Sequence, residues 1–194
     1  MSDNRFQYPT DSATSAIDTQ FFYGPSLLIS PVINADSTSV TFYLPSDIFY
    51  DLYTLKPINS AGQSITYSSV AFTDIPVHVK GSSIVPARVN SANTTVALRG
   101  QDFELLVAPG KDGKASGELY LDDGESLVQA GTSEIVFNFD GKTISANGNF
   151  GYKTSVGVLS LTVMGENGPV KYELNEGLEG PWERELGSLK KAGL

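Results

Sequence analysis

The sequence predicts an all-β protein, and three observations carry that expectation. Short runs of β-branched and aromatic residues recur from Ser37 onward, the composition that fits a pleated, half-buried surface. Between the later runs stand Asp112-Gly113, Asp123-Gly124, Asp140-Gly141, Asn147-Gly148 and Asn167-Gly168, dipeptides favoured where successive residues of a tight hairpin need positive φ. Helical periodicity is credible in two places alone: a turn around Ala16 to Phe22, and the tail from Trp182, whose Trp182, Leu186 and Leu189 would share a face.

In chain order, Ser39 to Leu44 alternates and stops at Pro45, followed by Ser64 to Tyr67 and Val70 to Phe72. In the next run Ile75, Val77 and Val79 would point one way and His78 and Lys80 the other, toward water. Phe103 to Val107, Gly117 to Leu121, Glu134 to Phe139 and Val156 to Val163 supply later strands. The expected architecture is two small antiparallel β-sandwich domains. A polar stretch over Ala87 to Gly100 and a turn-rich break at Pro109 to Lys114 place the expected boundary at 109/110.

Apolar residues make up 40% of the 194-residue chain and charged ones 18%, a globular balance that can bury a sizeable core. Thirteen basic side chains against 22 acidic ones give a formal charge of −9, which disfavours nucleic acid and anionic membrane as partners. No apolar run is long enough to cross a membrane as a helix. The chain has no cysteine, so disulfides, thiolate nucleophiles and cysteine-based zinc sites are excluded. The first residues lack the basic start and apolar core of a secretory signal, while Asn93-Thr94-Thr95 is the one N-glycosylation sequon.

Chemistry has few places to reside. His78 is the only histidine, so any Ser-His-Asp triad would need it, yet no Gly-x-Ser-x-Gly elbow occurs. A half-exposed strand histidine is the expected reading. Asp122-Asp123-Gly124-Glu125 is the densest acidic cluster, but adjacent strand residues point to opposite faces and Asp-Gly marks a turn. A calcium-binding loop is the lesser reading there. Tyr43, Phe49, Tyr50 and Tyr53 could stack on sugar rings or fill a core; Tyr50 and Tyr53 are the candidate sugar contacts. No catalytic residue, cofactor site or metal site is expected.

Six ordered blocks carry a family resemblance: Phe6 to Asp11, Ile17 to Phe21, Gly24 to Val32, Phe49 to Thr54, Ile75 to Pro86 and Gly117 to Ser126. Together they resemble the C-terminal third of family 31 glycoside hydrolases, especially fungal α-glucosidases. The resemblance implies a full enzyme with a (β/α)8 barrel followed by proximal and distal C-terminal β domains. It implies retaining hydrolysis by two aspartates on barrel segments upstream of the first block. Residues 1–25 would then be a remnant of the barrel end, 26–109 the proximal domain and 110–194 the distal domain. Such a barrel needs about 250 residues to assemble its site, so the chain is expected to be non-catalytic and to support a barrel carried elsewhere. A stand-alone module binding α-glucan is the alternative. Phe21, Phe22, Leu27 and Leu28 would form an apolar surface for the barrel or for self-association. The parent family would place the chain outside the cell or in the secretory pathway.

Overall fold

The computed structural model describes residues 2–193. The chain packs into two compact units, one ending at Gly81 and the other beginning at Ser82. The seam therefore lies well before the expected 109/110 boundary. The strands flanking the polar Ala87 to Gly100 stretch, Ser83–Arg88 and Phe103–Ala108, pair with each other and with strands beyond residue 110. A composition break thus fell inside a sheet, because strand pairing is blind to the polarity of the loop between the partners.

The first unit contains a four-residue helix, α1 (Asn4–Gln7), a 3-10 turn (Ser12–Ala16) and seven strands. These are β1 (Phe21–Tyr23), β2 (Leu27–Ile29), β3 (Val40–Leu44), β4 (Ile48–Asp51), β5 (Pro57–Asn59), β6 (Gln63–Tyr67) and β7 (Val77–Lys80). Five of them form a sheet in the order β1-β2-β7-β4-β5, and β3 pairs with β6 as a separate ribbon. The core joins the two: Phe22, Leu28 and Phe49 come from the sheet, and Phe42 and Leu44 from the ribbon. The turn expected around Ala16 to Phe22 ends at Ala16, and Phe21 to Tyr23 is extended. The strand expected over Val70 to Phe72 does not form: the Asp74 N–H closes a turn onto the Ala71 carbonyl, and among the described residues no strand lies between β6 and β7. Gln20 explains how this entry segment is held. Its buried side-chain amide accepts from the Tyr43 N–H at 2.7 Å and donates to the Tyr43 carbonyl at 2.8 Å, satisfying edge backbone groups as a neighbouring strand would. The Tyr43 hydroxyl donates to Asp11, and that of Tyr8 to Asp47.

The second unit holds α2 (Thr95–Arg99), β8 (Ser83–Arg88), β9 (Phe103–Ala108), β10 (Ala115–Leu121), β11 (Ser133–Phe139), β12 (Thr143–Phe150), β13 (Gly157–Val163), β14 (Val170–Gly177), β15 (Trp182–Glu185) and β16 (Lys191–Ala192). Nine strands form one sheet in the order β15-β12-β11-β10-β8-β9-β13-β14-β16. Ile135, Phe137, Ile144 and Ala146 from one end share a single core with Leu105, Val107, Val158 and Leu161 from the other, so the sheet bends over that core as a sandwich does. Antiparallel pairing dominates. Two pairs, β8 with β10 and β9 with β13, run parallel.

Of the five Gly dipeptides, Asp140-Gly141 turns β11 into β12 and Asn167-Gly168 lies between β13 and β14. Asn147-Gly148 instead lies inside β12. A Cβ on Gly148 would stand 2.1 Å from the Glu134 carbonyl oxygen, with φ at +132°, so this glycine serves close approach between strands rather than a turn. The expected helical tail is also strand: β15 pairs with β12, and only Leu186–Ser188 form a 3-10 turn. Trp182, Leu186 and Leu189 still pack on the core, so their shared burial reflects sheet-edge coverage rather than helical period.

Candidate functional site

The one histidine lies in a buried polar cluster of the first unit. His78 belongs to β7, between β2 and β4, where its register partners are Leu28 and Asp51. The ring is 0% exposed, which corrects the expectation of a half-exposed strand residue. Alternation implied one wet face, but Phe42 and Tyr67 of the β3/β6 ribbon cover it, with ring centroids 4.8 and 5.9 Å from the imidazole. Val79, on the other face of β7, is fully buried too.

Hydrogen-bond bookkeeping assigns the tautomer. The Tyr67 hydroxyl donates to Asp51 Oδ2 at 3.3 Å and lies 3.2 Å from His78 Nε2. One hydroxyl carries one proton, so Nε2–H donates to the Tyr67 oxygen. Nδ1 is then a bare lone pair, in keeping with its lack of any partner among the described residues. Protonating it would create a buried N–H without an acceptor. Burial accordingly lowers the His78 pKa from 6.5 to about 4, against an opposing pull from Asp51. Burial, then Asp51, pushes the Tyr67 hydroxyl up to about 12. Asp51 Oδ1 meanwhile accepts from the Tyr53 and Thr54 N–H groups. The arrangement is a neutral, structural imidazole rather than a base poised beside a nucleophile.

The two candidate sugar contacts are separated by their strand. Tyr50, in β4, is 3% exposed and its ring is unavailable to a ligand. Tyr53, past the strand end, is 65% exposed and donates its hydroxyl to the Ile75 carbonyl. The expected apolar surface is likewise dispersed: Phe22 and Leu28 are fully buried in the unit's own core, while Phe21 and Leu27 are half-buried. Neither Phe22 nor Leu28 can carry self-association.

In the second unit, Asp122 to Glu125 forms the expected turn. Asp123 Oδ1 accepts from the Glu125 and Ser126 N–H groups and Oδ2 from the Ser126 hydroxyl, and these bonds, led by those of Ser126, hold its carboxyl well below the usual range. Asp122 Oδ1 accepts from Gly124 N–H, and Arg99 bridges to Glu125. With its oxygens so engaged, the loop closes on itself. Among the described residues no group of three or more His, Cys, Asp or Glu could hold a metal ion. Asn93 is exposed, immediately before Thr94, which caps α2 by accepting from Ala97 N–H.

An outward polar surface not marked by any motif lies on the second unit's sheet. β10 and β11 alternate buried and exposed residues, and their outward rows continue onto β12. The strict alternation of Glu134, Val136 and Asn138 between Ile135, Phe137 and Phe139 is the sequence signal that marks it.

Comparisons with known proteins agree with this architecture. The family model for the glycosyl hydrolase family 31 C-terminal domain matches residues 1–85. A probable alpha/beta-glucosidase of Aspergillus clavatus is 47% identical over 161 residues, covering 83% of this chain and 18% of that protein. One from Arthroderma benhamiae is 51% identical over 146 residues, covering 75% of this chain and 17% of its own length. The crystal structure of a glucosidase II alpha subunit superposes with a TM-score of 0.73 at 28% identity, over 82% of this chain and 19% of that one. The chain thus spans less than a fifth of the length of these larger relatives. An all-β chain whose first unit matches the domain model, and whose relatives align across both units, belongs to the C-terminal region of glycosyl hydrolase family 31.

Proposed function

We propose that this chain is the non-catalytic C-terminal β portion of an α-glucosidase, hydrolysing terminal α-glucosidic bonds only together with a catalytic barrel. The observation that carries the reading is the 47% identity over 161 residues to about 18% of a glucosidase. Residues up to about 25 are the barrel-end remnant, the proximal domain runs to Gly81, and the distal domain begins at Ser82. The Gln20 amide clamp and the buried Phe22 give the remnant a mechanical role, fixing the chain's entry into the proximal domain.

Assayed alone on maltose, the purified chain is expected to be inactive; co-expressed with a polypeptide carrying the family barrel, it is expected to co-purify and restore turnover. Hydrolysis by the chain alone, persisting after stringent removal of host enzymes, would overturn the reading.

The same reading places the chain in the secretory pathway, with exposed Asn93 as its glycan acceptor. Secreted from a eukaryotic host, the protein is expected to exceed its sequence mass by one glycan, and Asn93→Gln to remove the excess. An unmodified mass for the secreted protein would count against this placement.

A further inference from the structure

The outward face of the β10-β11-β12 half-sheet has its own chemistry. Its register is continuous, so side chains align in rows across the strands. In the first row Tyr120 faces Glu134, which faces Asn149. In the second, Glu118 faces Val136 and Val136 faces Asn147. The third runs from Ser116 through Asn138 to Ser145 and on to Glu183 of β15. Strand geometry makes this face about 14 Å by 10 Å.

Three features restrict what such a face takes. Tyr120 is 54% exposed, which leaves its ring accessible. Around it stand amides, hydroxyls and carboxylates, and Val136 is the other apolar contributor to the rows. None of these rows contains Lys or Arg, and Lys114, which lines the depression beside Ser116, stands there with Asp112, Asp140 and Glu183, so phosphate, sulfate and nucleic acid would meet a face on which acidic groups outnumber basic ones. The surface is also indented. A depression of about 510 Å³ runs beside Tyr120, Glu134 and Asn149, and another of about 470 Å³ beside Ser116, Asn138 and Glu183. An aromatic ring with apolar faces, flanked by fixed donors and acceptors in a shallow trough, suits a ligand with apolar ring faces and a hydroxyl rim.

We propose that this face of the second unit is a binding surface for a neutral oligosaccharide, with Tyr120 as the stacking platform and Asn138, Glu134 and Glu118 as hydrogen-bonding groups. The site is distinct from the Tyr50/Tyr53 region, where Tyr50 is core. It does not depend on the presence of a catalytic barrel, so it stands or falls separately from the proposed function.

The test is calorimetric titration of the full chain with maltoheptaose, cellohexaose and xylohexaose at low and high salt. Saturable, salt-insensitive binding of at least one of them is expected, weakened about tenfold by Tyr120→Ala. Asn138→Ala is expected to weaken it as well, and Tyr53→Ala in the other unit to leave it unchanged. Melting followed by the fluorescence of the single tryptophan, Trp182, verifies that each second-unit variant is folded. Absence of binding to all three sugars, binding that survives both Tyr120→Ala and Asn138→Ala, or binding abolished by salt as for a basic partner would each overturn the proposal.

Discussion

Replacing Phe137 with alanine is expected to destabilise the second unit by about 3–5 kcal/mol, the usual cost of emptying a buried aromatic site. Phe137 is fully buried at the centre of β11, in the middle of the core, and its ring centroid lies 6.1 Å from that of Trp182. The strands on either side, β10 and β12, hold its backbone in register, so the surrounding core has little freedom to collapse into the void. Trp182 is the only tryptophan and lies in this unit; its fluorescence therefore reports second-unit unfolding without mixing in the first, which matters because two-unit chains need not melt in one step. Val136→Ala, one residue away on the outward face, should change stability by less than about 0.5 kcal/mol. Equal effects of the two substitutions would mean that the register is wrong by one residue, since such a slip exchanges the faces.

Acid should weaken the first unit through His78. Its folded pKa, about 4, lies below the ordinary 6.5, so the unfolded chain binds the proton more readily. Stability from this group is complete above about pH 6.5, declines as pH falls toward 4, and has no further slope below that. The depression corresponds to a loss on the order of 3 kcal/mol. As the sole histidine, His78 can be followed directly by NMR of its ring: no titration is expected between pH 8 and 5 while the protein is folded, with the Nε2–H tautomer throughout. His78→Phe should flatten the stability profile across the same window. A ring that titrates near 6.5 in the folded protein would show that the imidazole is hydrated and the cluster open.

These two residues also show where sequence reading reaches its limit. Phe137 was legible: it sits in a strict alternation that β11 realises as buried and exposed residues in turn, because one face of that strand meets a core and the other meets water. His78 stands in an equally clear alternation, yet the inference of a wet face failed. Whether a strand has one covered face or two depends on what packs above it, and here the separate β3/β6 ribbon supplies the cover. The Tyr50/Tyr53 pair divided for a related reason. Tyr50 lies within β4 and goes to the core, whereas Tyr53 follows a turn closed by Asp51 and remains outside.

By itself, the sequence determined the all-β class, seven of the strands (β3, β6, β7, β9, β10, β11 and β13), the Asp140-Gly141 and Asn167-Gly168 turns and the family, since each rests on local composition, short-range periodicity or ordered motifs. Tertiary structure alone decided the seam at Gly81/Ser82, the strand state of the Trp182 tail and the inclusion of Gly148 within β12. It also set the alignment of Tyr120, Glu134 and Asn149 in one row. Each of those is a relation between separate strands or segments. Strand pairing rewards whatever backbone edge is available, and no local propensity records which edge that will be.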